Sequence, residues 1–407
     1  MRQVLNEAID RHSLNKLGLL GSLYVSQLMP AFFAMQALPT LMRSTGSSLV
    51  GIGLFYLLYL PLALKFLWSP FIDRYGFTRW GHYRFWIICF QLLIAGITAS
   101  LAWVDFSHSS LFVFIGVFAI GCCSASLDIA TDALAVRSLE PQERGLGNAV
   151  QSSGSYLGAA IGGGGMLFLF DRWGWKTTLL VLSLLMVVAL VPVLRHREQV
   201  RDTDKPAKIQ NASYLKTFIH LYHRPKMKWW LLFLWLYTLG SSMAGTIFRL
   251  LLVDLKIPLS QLAWLMGVVD SIAAVLGGIV GGFVINRLGR KRSLLLACFM
   301  WAIATISYLL PTFGIDNLPT IYLVTISTMF AYGMMGTATF TLMMDRSQLT
   351  TAGTDFTFQD SVSILGAVVG GAIGGIFAAA IGYLGVFTIV IAIAFAVIWL
   401  ATVKLSR

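Results

Sequence analysis

Twelve apolar runs, each long enough to cross a bilayer, fill most of this 407-residue sequence: 17–42, 48–71, 85–103, 110–136, 146–170 and 177–194, then 228–252, 259–285, 293–312, 319–345, 355–382 and 384–403. A crossing helix needs about 20 such residues, and the longer runs must tilt, kink or protrude. Within hydrocarbon the backbone has no water to bond, so only helices and closed barrels span it. These runs lack the period-2 alternation of barrel strands, which leaves helices. The expected fold is an all-α polytopic membrane protein. Charged residues are only 12% of the chain against 57% hydrophobic, where a soluble domain carries about 25% charged. A soluble nucleic-acid binder, a disulfide scaffold and a disordered chain are thereby excluded, despite the net charge of +12.

The position of the basic residues supplies the topology. One long polar segment, 195–227, divides the runs six and six. With both termini and this segment on one side, about 24 Lys and Arg fall on that side and about 4 on the other, while Lys65 and Arg249 remain inside runs. Both termini are therefore expected to be cytoplasmic. The stretch MRQVLNEAIDRHSLNK is charged and has no short apolar core followed by a cleavage site, so we read the first run as a span rather than a removable signal. The expected domains are 1–194, a linker 195–227, and 228–407. Pro30, Pro39, Pro61 and Pro70 are the expected bends of the first two spans.

The halves echo each other. Asp73-Arg74-Tyr75-Gly76 with Arg79 follows the second span, and Asn286-Arg287-Leu288-Gly289 with Arg292 follows the eighth. Arg137-Ser138 precedes a glycine-rich span, as does Arg346-Ser347. Repeated six-helix halves mark secondary transporters that rock about a central site. Gly76 and Gly289 are read as permitting tight turns, and their arginine neighbours, with Arg137, as engaging carboxylates or helix C-termini to close a gate.

Ionisable side chains at bilayer depth are costly, so each is a candidate site. In the fourth span Ser124, Asp128, Thr131, Asp132 and Ala135 share one helical face. Lys65 and Asp128 each lie eight or nine residues before the loop, roughly 12–13 Å above the boundary, so a pair between Lys65 and Asp128 or Asp132 is allowed. It would be either a static ion pair or a proton-releasing one. In the second half, Arg249 and Asp270 are read as an outer salt bridge or an attractor of anionic solute, with Arg249 snorkelling outward as the plainer alternative. Asp360 and Gln151 lie on polar-to-small stripes whose glycines are read as close-packing surfaces. Tyr24, Gln27 and Gln36 cluster about Pro30, and Gln27 and Gln36 reach one cavity only if that proline bends the helix. Trp235, Tyr237 and Tyr332 are candidate stacking walls. No GxxxxGK[ST], HExxH, CxxC pair or GxSxG is present, so no cofactor, metal or catalytic constellation is expected. Cys89, Cys122, Cys123 and Cys298 are read as small buried hydrophobes, and His12, His82, His108, His196, His220 and His223 as loop or tail residues.

The loop pattern resembles the motif between spans two and three, and eight and nine, of the major facilitator superfamily. The copy from Gly282 to Arg292 is nearly complete; the first departs, with Ser69 for the leading glycine and Phe77-Thr78 interrupting the basic run. The segments LKFLWSPFIDR (Leu64 to Arg74) and DIATDA (Asp128 to Ala133) resemble the muropeptide-permease and acetyl-CoA-transporter branch. The compact length is similar to that of the pyochelin- and rhizobactin-type siderophore importers. The resemblance implies a monomeric inner-membrane carrier bringing a ferric siderophore from periplasm to cytoplasm with protons, Lys65, Asp128 and Asp132 being the branch's charged positions. A muropeptide permease is the same-class alternative, drug efflux a weaker one, and a membrane sensor or assembly protein the non-transport alternative.

Overall fold

A computed structural model describes residues 11–34, 38, 59–76, 80–104, 110–196, 198 and 214–405. Every regular element among them is helical. Seven helical stretches are long and apolar enough to cross a membrane. Three of these, Arg144–Arg195, Leu265–Thr312 and Leu349–Lys404, contain 52, 48 and 56 residues, roughly 70–85 Å of helix and about twice what a bilayer core requires. Each is two helices joined at one glycine with positive φ: Gly174 at 72°, Gly289 at 75° and Gly382 at 71°. Seven stretches thus supply ten spans. Arg11–Phe32 and the helical turns from Tyr59 to Arg74 correspond to the first two of the expected twelve; residues 48–58 of the second lie outside the described residues.

We label these α1 (Arg11–Phe32), α2 (59–74), α3 (His82–Leu101), α4 (Ser110–Ser138), α5 and α6 (before and after Gly174), α7 (Met227–Asp254), α8 and α9 (before and after Gly289), α10 (Leu318–Arg346), and α11 and α12 (before and after Gly382). Pro30 lies inside α1, near its end. Gln36, Pro39 and Arg79 lie outside the described residues.

The α2 span is interrupted. Tyr59–Leu64 gives way to a 3-10 turn, Lys65–Leu67, before Ser69–Arg74 resumes. Pro70 is the chemical cause: it has no N–H for the Phe66 carbonyl one turn back. Ser69 Oγ donates to that carbonyl instead, at 2.9 Å. The serine that breaks the loop motif therefore satisfies the group that the proline leaves free.

Two compact units emerge. One comprises 1–143, 154–213 and 347–357, the other 144–153, 214–346 and 358–407. Each is most of one sequence half plus the short start of one helix from the other, α11 in the first unit and α5 in the second. Between lipid-soluble helices the hydrophobic effect gives little, so close approach and dispersion must hold a bundle together. The glycine stripes serve this. In the first unit, a Cβ at Gly158 would sit 2.5 Å from the Val25 carbonyl oxygen, and one at Gly162 only 2.1 Å from that of Met29, so α5 lies against the α1 backbone. In the second, a Cβ on Gly370 would sit 2.2 Å from the Leu239 carbonyl oxygen, so α11 is seated on α7 in the same way. Gly277 and Gly333 interlock α8 and α10, since a Cβ on either would fall 1.9 Å from an opposing carbonyl oxygen. An apolar cluster around Met243, Ile247, Leu265, Tyr308, Val324 and Phe387 fills the rest of this unit.

Candidate functional site

In the first unit, three helices bring polar groups to one place. The 3-10 turn of α2 carries Lys65, which is 1% exposed and ion-paired through Nζ to Asp128 Oδ2 on α4. Gln27 of α1 donates from Nε2 to the other oxygen, Oδ1, of the same carboxylate. One turn further along α4, Asp132 is 2% exposed and accepts a 2.9 Å hydrogen bond from Tyr24 Oη, also on α1. Gln27 and Tyr24 are three residues apart, Asp128 and Asp132 four, so each pair shares a helix face and the two faces meet. Asp128 keeps 15% side-chain exposure, which leaves it the most accessible acid of the group. Gln27 Oε1, Ser124 Oγ and Thr131 Oγ1 are buried beside these charges without hydrogen-bond partners among the described residues. One lysine and two aspartates thus stand within a helical turn of one another. In a low-dielectric core a change of charge on either acid must be met by a proton or by a counter-charge.

The loop after α2 is organised around Asp73. Its carboxylate accepts from the backbone N–H groups of Gly353 and Thr354, at 3.0 and 2.7 Å, and from Tyr83 Oη at 2.7 Å. Both amides lie at the start of α11, inside the same unit, where unpaired N–H groups and the helix dipole favour an anion. The Arg137 guanidinium stands 5.4 Å from the Tyr83 ring centre; Arg74 is half-buried. The expectation for Gly76 needs correction. Its φ is not positive, whereas that of Gly81 is, at 92°. Gly76 is required by crowding, because a Cβ there would lie 2.2 Å from His82 Nδ1. His82, read from sequence as a loop residue, opens α3 and bonds the Ile72 carbonyl through Nε2 at 2.8 Å.

In the second unit, the matching loop places Asn286 against the start of α5: a Cβ on Gly145 would sit 2.7 Å from Asn286 Oδ1. Gly289 does have the left-handed backbone expected of it, while Arg287 is exposed. The charge that organises this end is Asp345, which receives Arg144 at 2.7 Å and Arg290 at 3.0 Å. Sequence reading singled out neither Asp345 nor Tyr83. Their signal was weak, since a carboxylate beside Arg346 and a tyrosine beside Arg84 look like ordinary helix-end residues.

Elsewhere in this unit, Arg249 and Asp270 line one pocket with Phe248, Tyr308, Thr325 and Thr328. Gln151 is buried and Asp360 half-buried, and Asp360 is within electrostatic range of Tyr332. Tyr332 stacks on Tyr237 with ring centres 6.2 Å apart, and Tyr237 meets Trp301 edge-on at 5.1 Å. Trp235 is not part of that stack; its backbone carbonyl packs against Gly366. Cys298 is buried and the other three cysteines are half-buried, all as free thiols.

The family model for the Major Facilitator Superfamily matches residues 20–358 and, again, 231–407. The chain belongs to the Major Facilitator Superfamily. It is a multi-pass membrane transporter rather than an enzyme. Among superfamily relatives, the anhydromuropeptide permease of Escherichia coli (strain K12) is 27% identical over 339 residues, covering 82% of this chain and 68% of that protein. Two solved transporter folds match almost end to end. The human organic anion transporter MFSD10 aligns with a TM-score of 0.69 at 15% identity, over 96% of this chain and 98% of that one. The transporter FucP aligns at 0.68 and 14% identity, over 97% and 99%. At such low identity these two speak for the fold alone. The resemblance to siderophore importers gains no support from these relatives.

Proposed function

We propose that this chain is a proton-coupled permease importing muropeptides, the sugar-peptide fragments of cell wall, across the inner membrane by alternating access. The observation that carries the reading is the buried Lys65–Asp128 pair with a second carboxylate, Asp132, one turn away. A second acid one turn from the first gives Lys65 an alternative partner, and exchange between the two gives a proton taken up on either acid a way to act. When Asp128 is protonated, Lys65 at 1% exposure loses its counter-ion. It must then turn to Asp132 or to an anionic group on the solute. Tyr24 and Gln27 move with α1, so any repacking of that helix alters the hydrogen bonds to both acids.

The choice of solute follows the relative rather than the geometry. The E. coli protein is named for anhydromuropeptide transport, and its similarity spans most of this chain. That favours the muropeptide alternative over the ferric siderophore expected from the sequence resemblance. The basic residues favour both termini on the cytoplasmic side. In this reading the Asp73 and Asn286 loops act as the cytoplasmic gate, each seated on the start of a helix from the opposite sequence half.

Reconstituted protein with an acid-outside gradient tests this. Accumulation of labelled anhydromuropeptide, collapsed by a protonophore, is expected, with no accumulation of ferric pyochelin or ferric rhizobactin. Uptake of a ferric siderophore without muropeptide uptake would overturn the solute. Absence of flux for both, from protein that folds and inserts, would favour a sensor or assembly role.

A further inference from the structure

At one end of the second unit, four residues from two helices form a basic and aromatic cluster. Lys228 and Trp229 stand at the start of α7, Trp399 and Lys404 at the close of α12. Lys404 Nζ lies 4.8 Å from the Trp229 ring centre and 5.7 Å from that of Trp399, and Lys228 Nζ lies 5.6 Å from that of Trp229. The backbone makes this meeting possible. Leu400–Lys404 is a π-helical turn, closed by the Leu405 N–H on the Leu400 carbonyl at 3.1 Å. In a regular helix, residue i+5 points roughly 140° away from residue i. The wider π turn brings Lys404 back over Trp399. Such turns are rare and frequently occur at functional positions.

The charges of this cluster are unmatched. Neither lysine has a carboxylate within 4.0 Å among the described residues. A side-chain rotation could not supply one from the helices around it, because 205–253, 271–315 and 361–407 contain no aspartate or glutamate. Those stretches include all of α9 and α12, and all of α7 but Asp254 at its far end. Next to Trp229, Arg346 stands over the Trp230 ring at 4.2 Å and adds a third cation, while its neighbour Asp345 already receives Arg144 and Arg290. The surroundings are apolar and open. Phe395 and Trp399, four residues apart and so on one face of α12, are 59% and 50% exposed. On a membrane-spanning helix such a face lies against acyl chains, with tryptophan at its end and lysine just beyond at the depth of the lipid headgroups.

We propose that this end of α7 and α12 is a binding surface for an anionic phospholipid, its phosphate taken by Lys228 and Lys404 and its acyl chains laid along Phe395 and Trp399. The indoles hold the two ammonium groups in place without neutralising them. A negative headgroup gains charge-assisted contacts to both, whereas a zwitterionic headgroup brings a cation of its own against them. A membrane lipid is the source of the phosphate, rather than a soluble phosphate, because the apolar face adjoins the charges. None of these residues belongs to the unit that carries Lys65, and the inference does not depend on which solute is carried.

The probes are phosphatidylglycerol and phosphatidylcholine of one acyl composition, titrated into the purified full-length protein in neutral detergent and counted by native mass spectrometry, with glycerol phosphate as the soluble control. The native protein is expected to bind its first phosphatidylglycerol at least about tenfold more tightly than phosphatidylcholine, and glycerol phosphate not measurably. One basic residue near a membrane surface is worth roughly fivefold in affinity. Lys228→Gln and Lys404→Gln should each lose about that much for phosphatidylglycerol, and the double variant about 25-fold, with phosphatidylcholine unchanged. Lys404→Arg should keep the native affinity. Lys176→Gln, which takes a lysine from above the Trp103 ring at 5.1 Å in the first unit, should bind as the native protein does. A native melting temperature for the double variant in lipid-free detergent is expected, which separates lost binding from a lost fold. Equal affinity of the native protein for the two lipids, native affinity in the double variant, or an equal loss in Lys176→Gln would overturn the proposal. Glycerol phosphate bound as tightly as the lipid would overturn the assignment to a membrane lipid.

Discussion

Removing Lys65 and Asp128 one at a time and then together separates a structural ion pair from a working one. The lysine is 1% exposed and the aspartate 15%, so neither charge is rehydrated when its partner goes. Deleting one member of a buried pair costs about 3–5 kcal/mol. The residual access of Asp128 sets this pair at the lower end, about 3 kcal/mol, or roughly a hundredfold in the folding equilibrium. Lys65→Met and Asp128→Leu should each lose about that much. The double variant should recover most of it, because a buried pair exchanged for apolar groups of similar volume is near neutral. Gln27 Nε2 then lacks its acceptor, which leaves a residual cost of about 1–2 kcal/mol. Unfolding in detergent gives the stability cycle, and uptake into proteoliposomes gives the function. The expected result is a double variant close to the native protein in stability yet unable to accumulate solute. A double variant that transports at the native rate would refute a coupling role, and single variants costing under about 1 kcal/mol would refute the burial argument itself.

Three further outcomes follow from the packing and the loops. Asp73→Ala removes the acceptor of three hydrogen bonds and should cost about 1.5–3 kcal/mol in unfolding, while Tyr83→Phe, which removes one, should cost about 1 kcal/mol; equal effects would argue against the helix-capping geometry. Gly277→Ala drives a Cβ to 1.9 Å from the backbone carbonyl of Phe330 and should lower stability by about 1–3 kcal/mol or more, whereas Gly96→Ala, with open space around it, should be neutral or slightly stabilising on the same thermal assay. Burial pushes the Glu143 carboxyl up, but hydrogen bonds from Ser13 Oγ at 2.5 Å, the Glu140 amide and Lys16 Nζ at 3.0 Å outweigh it and hold its pKa below the usual glutamate value. A carboxyl depressed on folding stabilises above its unfolded pKa and loses that contribution as pH falls through the folded value. The melting temperature of the native protein should therefore fall more than that of Glu143→Gln as pH is lowered from neutral through the glutamate range, and parallel curves would show that the contacts contribute nothing.

The fold was legible because membrane insertion leaves so few options. Apolar length and the loop distribution of Lys and Arg are direct consequences of bilayer thickness and potential. The proximity of Lys65 to Asp128 was legible for a related reason: a charge that deep needs a partner, and depth along two helices can be counted in residues. Tyr24 and Gln27 were visible as polar residues near Pro30, but their division between Asp132 and Asp128 depends on how α1 is rotated against α4, which no one-dimensional pattern encodes. Gly76 was assigned the wrong physical reason because conformational freedom and crowding by His82 both demand glycine. Asp345, shared by Arg144 and Arg290, was hidden by its place at a helix end, where a charge looks like a topological anchor. The solute was least legible of all, since the charged cluster records the need for a counter-ion and not the shape of what is carried.

The central claim is that one of the two acids beside Lys65 carries the coupling proton. Reconstituted Asp128→Asn and Asp132→Asn, assayed in parallel for gradient-driven accumulation and for counterflow exchange of the same solute, test it most directly. At least one of them is expected to abolish accumulation while exchange continues. Native accumulation in both variants, or loss of accumulation and exchange to the same extent in each, would contradict it.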